Sequence, residues 1–180
     1  MTNHQLFETY RSDVYRICYY MLGQAADAED LCQEVFLTAF RADRTGIDNL
    51  KPWLLRIAVN RCVNLLKRRG NLRSKLANHS HLLIGKAERT PEDRLEQREV
   101  AEEWADRLAR LPLKIRTVVS LRFVHDLGIS EIAELLDIPP GTVKSRQHKG
   151  LKLLRGMLDK PQNPLTPIQG GNYDYQPDKG

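Results

Sequence analysis

Cysteine and aromatic side chains are scarce in this 180-residue chain, and it has no long apolar run. The three cysteines, Cys18, Cys32 and Cys62, lie far apart and form no CxxC pair. Their number and spacing exclude a disulfide framework and argue against a structural zinc site. No apolar run approaches the roughly 20 residues that span a bilayer, and the polar N-terminus does not resemble a signal peptide. We therefore expect a cytoplasmic protein with no direct membrane insertion.

Sequence signatures of catalysis are also missing. The chain has no glycine-rich nucleotide-binding loop, no HExxH segment and no convincing Ser/His/Asp or Cys/His set. His79 and His81 are close in sequence but have no cysteine or acidic ligand at a suitable spacing. The sequence therefore predicts neither an enzyme nor a metal or cofactor site, and it predicts that the cysteines belong to the core.

The charge of the chain is unevenly distributed. Its formal net charge is only +5, yet residues 56–69 and 138–158 each carry five basic side chains and no acidic one. Acidic stretches at 27–34 and 92–106 offset them. Acid-free basic clusters are what a phosphate-neutralising surface requires, although either cluster alone could also be an ordinary solvated helix face.

Helical periodicity dominates the pattern of apolar residues. Helices are predicted at about 4–22, 26–41, 51–69, 91–109, 113–124, 131–137 and 140–158. Gly23 is expected to stop the first helix, and Thr90 and Ser130 are expected to cap two later ones. The predicted fold is all-α, with two small helical domains (1–70 and 91–158) joined by a flexible linker (71–90). Residues 159–180 are rich in proline, glycine and polar side chains, which predicts a disordered tail.

Residues 128–155 have the pattern of a helix–turn–helix, in which a tight turn joins two short helices. Ile132, Leu135, Leu136, Ile138 and Val143 are spaced to lock the helices together. The second helix then projects outward, as one that enters a major groove does. The side chains facing away from this core are Lys144, Ser145, His148, Lys149 and Lys152. An ordinary helical hairpin with a basic surface is the alternative.

Three segments in order resemble the extracytoplasmic-function group of bacterial sigma-70 factors. The first is DAEDLCQEVFLTAF (27–40) and the second is WLLRIAVNR (53–61). The third combines LPLKIR (111–116), EIA (131–133) and GTVKSR (141–146). The chain departs from the usual family pattern at four positions, which are Pro139, Gln147, His148 and Gly150.

The resemblance implies three binding surfaces. The 27–40 helix is expected to dock on core RNA polymerase through Asp30, Gln33, Glu34 and Leu37. The 41–70 segment is expected to capture the melted proximal (−10) promoter element through Arg44, Asn49, Arg56, Asn60, Arg61, Asn64 and Lys67. The helix–turn–helix is expected to read the distal (−35) element as duplex through Thr142, Lys144, Ser145, Arg146, His148, Lys149 and Lys152.

The resemblance also implies an anti-sigma partner, which in this family is often membrane-bound. A flexible linker of about 20 residues spans roughly 25 Å on average, whereas one duplex turn is about 34 Å. We therefore expect the free protein to bind a promoter weakly. The alternative is a stand-alone helix–turn–helix regulator, which has no need of both N-terminal segments.

Overall fold

Seven helices and no strands make up the part of the chain that the computed structural model describes, residues 1–76 and 95–158. The helices are α1 (Asn3–Leu22), α2 (Ala25–Arg41), α3 (Leu50–Leu76), α4 (Leu95–Ala109), α5 (Leu113–Phe123), α6 (Ile129–Leu136) and α7 (Pro140–Leu158). The all-α prediction is confirmed. The predicted linker, the Thr90 cap, the histidine pair and the tail fall wholly or mostly within residues 77–94 and 159–180, outside the described residues.

Helices α1, α2 and α3 pack together to form the N-terminal unit. Gly23 ends α1 in the left-handed conformation at φ 74°, which glycine adopts without steric cost. All three cysteines are buried in this unit, as predicted. The pKa of the Cys18 thiol is raised by its hydrogen bond with Cys62 and by burial, so it has little of the thiolate character that oxidation requires.

Two predicted helix ends are wrong. Helix α3 continues to Leu76, six residues past the expected end near Gly70, because residues 71–76 are mostly good helix formers that outweigh one glycine. Ser130 does not cap α6, which begins one residue earlier, at Ile129. The Glu131 carboxylate instead accepts a hydrogen bond of 2.6 Å from the Gly128 backbone N–H.

Helices α4 to α7 form the C-terminal unit, in which α7 packs closely against α5. Gly150 is buried at this crossing, and a Cβ there would lie only 2.4 Å from Val119 Cγ2 and 3.0 Å from Ile115 Cγ2. The departure from the family pattern at Gly150 thus has a packing reason. Glycine lets the basic helix lie directly on α5, with its opposite face outward.

The two units dock against each other. Helix α1 contacts α4 and α5, and α3 contacts α6. One continuous apolar core runs through both units, from Leu54 and Ala58 of α3 to Leu121, Leu127 and other residues of the C-terminal unit. The surfaces described below therefore belong to one packed body.

Candidate nucleic-acid and protein interfaces

The outward face of α7 is basic and exposed. Val143, Gly150 and Leu154 are buried on its inner side. The five side chains that the sequence predicted to face a groove, Lys144, Ser145, His148, Lys149 and Lys152, are all exposed. Thr142 and Arg146 are half-buried. The face has the shape and charge that a duplex groove accepts, since lysine can neutralise phosphate and serine can bond a base edge.

The loop before α3 presents polar groups at the start of the helix that carries the basic cluster at residues 56–69. Asp43 accepts a hydrogen bond of 2.9 Å from the Thr45 N–H, and Gly46 turns the chain at φ 85°. Arg44 is half-buried and donates a hydrogen bond of 2.6 Å to Asn3 Oδ1. The predicted proximal residues that are exposed on the loop and α3 are Asn49, Arg56, Asn60, Asn64 and Lys67.

Arg61, like Arg44, is a predicted proximal residue whose guanidinium is engaged within the protein. It is half-buried and turns toward α2, where Nη1 donates to Glu34 Oε2 at 2.6 Å and Nη2 donates to Thr38 Oγ1 at 2.5 Å. A second pair joins the same helices, because Arg69 donates two hydrogen bonds to Asp27, at 2.6 and 2.8 Å. The Arg69 guanidinium holds the pKa of Asp27 below its usual range.

A groove of about 640 Å³ lies between α2 and α3 and is bridged by these two ion pairs. We call it the α2–α3 groove; it is lined by Asp27, Asp30, Leu31, Glu34, Ile57, Asn60, Arg61, Asn64, Leu65, Arg68 and Arg69. On the α2 side, Asp30, Gln33 and Glu34 are exposed, and Leu37 is 53% exposed. An exposed leucine beside acids is typical of a protein contact surface.

Comparison with known families covers both units. The family model for Sigma-70 region 2 matches residues 6–71, and the model for Sigma-70 region 4 matches residues 96–154. The ECF RNA polymerase sigma factor SigW of Bacillus subtilis is 33% identical over 164 residues, which cover 85% of this chain and 87% of the relative. The chain belongs to the ECF sigma factors of RNA polymerase.

A second relative supports this assignment, and two solved structures share the fold. The sigma factor SigE of Mycolicibacterium smegmatis is 31% identical over 161 residues, covering 87% of this chain and 61% of the relative. The fold resembles the sigma factor RpoE of Bartonella quintana, crystallised with the anti-sigma factor NepR. The TM-score is 0.68 at 20% identity, over 87% of this chain and 98% of that one. CnrH, in complex with the cytosolic domain of CnrY, gives a TM-score of 0.63 at 19% identity, over 87% of each chain.

Family membership makes this protein a transcription initiation factor rather than an enzyme. The match to region 2 over the N-terminal unit also sets aside the stand-alone regulator, which has no use for that unit. Within the described residues, no helix is long and apolar enough to cross a membrane. That part of the chain also contains no cluster of three or more His, Cys, Asp or Glu side chains able to hold a metal ion.

The contacts that dock the two units of this sigma factor were not predicted from the sequence. Arg116 on α5 is 5% exposed and donates to the carbonyl oxygens of Met21, Ala109 and Leu111. Arg16 on α1 donates to the Val124 carbonyl at 2.9 Å. An arginine within the largely apolar segment that forms α5 is the sequence signal that could have indicated this arrangement.

A buried histidine lies at the same junction. His125 is 4% exposed, and its Nδ1 lies 3.4 Å from Asp13 Oδ1, which also pairs with Lys51 Nζ at 3.3 Å. Burial lowers the pKa of His125 to about 4. The Asp13 carboxylate opposes that shift, whereas Arg16 and Lys51 add to it. The imidazole is therefore neutral at physiological pH.

Proposed function

We propose that this sigma factor binds core RNA polymerase through the exposed face of α2 and holds two promoter elements with two separate basic surfaces. The observation that supports this most directly is the separation of charge. The acids Asp30 and Glu34 lie with Leu37 on one exposed helix face, whereas α7 offers an exposed basic face with no acid in it. A protein partner and DNA can therefore be bound at once, and we place this action in the cytoplasm.

The two basic surfaces suit two states of DNA. Helix α7 projects one continuous face, which fits the major groove of a duplex distal element. The loop at 42–49 and α3 offer amides and arginines, but Trp53 there is half-buried against the core. With no exposed aromatic platform in residues 42–70, this surface suits one or two extruded bases and the strand backbone of a melted proximal element.

Promoter-directed transcription with purified core polymerase tests this proposal. The full chain and core enzyme should initiate from a small set of promoters on a genomic template. The same chain should co-purify with core polymerase and, without it, should bind those promoters weakly at physiological salt. Absence of both initiation and polymerase binding would overturn the proposal, as would tight promoter binding by the free chain.

We also propose that an anti-sigma protein regulates this chain by covering the α2 face. The similar sigma factor RpoE of Bartonella quintana was crystallised with such a protein, and an inhibitor that covers Leu37 and the adjacent acids would compete with polymerase directly. Capture of a partner from the native host, followed by competition with core polymerase, is the test. A captured partner that binds alongside polymerase and leaves transcription unchanged would contradict this form of regulation.

A further inference from the structure

One ion pair joins two surfaces that were assigned to different partners. Glu34 belongs to the proposed polymerase surface and Arg61 to the proposed proximal DNA surface. In the structure, Arg61 Nη1 and Glu34 Oε2 form an ion pair with each other at 2.6 Å. The second terminal nitrogen of Arg61 is held by Thr38 on α2. Both ends of the guanidinium fork, which binds a phosphate best when both are available, are thus already engaged by α2.

The Glu34–Arg61 pair is open to exchange. The Glu34 side chain is 56% exposed and that of Arg61 is 36% exposed. Ion pairs exposed to this extent contribute little to stability, because water and salt screen them. A competing partner therefore loses little free energy by separating the two side chains.

The neighbouring Asp27–Arg69 pair is built differently. It is bidentate, and the Asp27 side chain is only 20% exposed. It can hold α2 and α3 together while the Glu34–Arg61 pair opens. The groove thus has one fixed pair and one exchangeable pair.

We propose that the Glu34–Arg61 pair couples polymerase binding to DNA binding. A cationic side chain of polymerase that takes Glu34 releases Arg61 for a phosphate of the melted strand. The proposal rests on the function proposed above, which assigns Glu34 to polymerase and Arg61 to DNA. Because such coupling is reciprocal, a phosphate on Arg61 also makes Glu34 more available to polymerase. The free chain keeps this arginine occupied and so binds single strands less tightly.

The first test uses the full chain without polymerase. Binding of a fluorescein-labelled single-stranded oligonucleotide is measured by anisotropy over a range of NaCl concentrations. Glu34→Gln removes the charge that holds Nη1 of Arg61, which makes the guanidinium easier to release, and should raise the affinity about three- to tenfold. One additional phosphate contact should also steepen the log–log salt dependence by about 0.7.

Two variants separate release of Arg61 from a simple change of charge. Asp30→Asn removes one negative charge from the same groove, and no ion pair to Asp30 exists within the described residues. It should raise the affinity less and leave the salt dependence nearly unchanged. Thr38→Val keeps the Glu34 charge but removes the second acceptor of Arg61, so any gain in affinity there cannot come from lost repulsion.

The double variant Glu34→Gln/Arg61→Gln should lose the gain of Glu34→Gln. If that gain persists in the double variant, or if Glu34→Gln and Asp30→Asn have equal effects and Thr38→Val has none, the exchange does not occur.

In the complex with core polymerase, Arg61→Gln should weaken binding of the same oligonucleotide about fivefold more than it does in the free chain. Equal effects in the two states would refute the coupling. A chain that fails to bind polymerase would refute the proposed function instead, while the free-chain measurements would still report on the pair.

Discussion

The Arg116 guanidinium of α5 donates a hydrogen bond of 2.7 Å to the carbonyl oxygen of Met21, near the end of α1. The contact joins residues 95 positions apart and lies in the junction between the two units. The end of a helix leaves carbonyl groups without intrahelical partners, and a cation is favourable at this negative end of the helix dipole. The arginine thus stabilises both α1 and the docking.

Replacing Arg116 should destabilise the whole chain. Arg116→Leu leaves two buried carbonyl groups, those of Met21 and Leu111, and the partly buried carbonyl of Ala109 short of a donor, so we expect the free energy of unfolding in urea to fall by about 2–4 kcal/mol. The same substitution at Arg110, which is exposed just after α4, should change the stability by less than about 0.5 kcal/mol. Equal stability of the two variants would contradict the role assigned to Arg116.

His125 should make the stability of the protein depend on pH. Its pKa is about 4 in the folded chain against the ordinary value of 6.5, so the unfolded chain takes up the proton first as the pH falls. The stabilisation is complete above pH 6.5 and is lost progressively toward pH 4. The free energy of unfolding should fall by about 2 kcal/mol as the pH is lowered from 6.5 to 5.

Urea unfolding as a function of pH measures this effect. His125→Leu should have a flatter profile than the wild type between pH 6.5 and 4. Asp13→Asn removes the carboxylate that favours the imidazolium and so lowers the pKa of His125 further. The loss of stability should then continue to lower pH than in the wild type. Parallel profiles for wild type and His125→Leu would show that the histidine does not titrate as described.

Gly150 should not tolerate even a methyl group. A Cβ there would lie 2.4 Å from Val119 Cγ2, and the branched valine cannot move away without disturbing the core. Gly150→Ala should therefore lower the thermal stability, by about 1–3 kcal/mol. Gly156 lies on the same helix, and a Cβ added there would have nothing within 4 Å, so Gly156→Ala should be neutral or stabilising by up to about 1 kcal/mol. If thermal melting showed Gly150→Ala to be more stable than Gly156→Ala, this packing would be refuted.

Leu37 should contribute to polymerase binding without contributing to stability. Its side chain is 53% exposed, so Leu37→Ser removes little buried apolar area. We expect the affinity for core polymerase to fall roughly tenfold, which is about 1.4 kcal/mol. Val100, 54% exposed on α4, is the matched control, and Val100→Ser should bind normally. Unchanged binding of Leu37→Ser in a calorimetric titration would remove Leu37 from the interface.

Lys149 should contact a phosphate of duplex DNA. With the protein bound to polymerase, Lys149→Gln should weaken binding to the distal element and make the log–log salt dependence shallower by about 0.9. Arg110→Gln removes a positive charge just after α4 and should leave that dependence unchanged. If both variants reduce it equally, overall charge and not contact by α7 is responsible.

Local patterns predicted the helices and the exposed face of α7 well, because apolar spacing and charge report directly on which side of a helix is buried. They failed where the answer depended on contacts distant in sequence. Nothing near Arg61 shows that its guanidinium reaches Glu34 rather than solvent, and nothing near Arg116 or His125 shows that their partners lie on α1. The helix-cap error at Ser130 has a local cause, since Glu131 can satisfy the Gly128 N–H and start the helix earlier.

The core that runs through both units has a consequence for how the chain can be divided. Cutting between the two units leaves each half with part of this shared apolar core, to which Leu54 belongs on one side and Leu127 on the other, exposed to water. Separately expressed halves should therefore be prone to aggregate. Binding data from an isolated helix–turn–helix fragment would then describe a surface that lacks its packing contacts with the N-terminal unit.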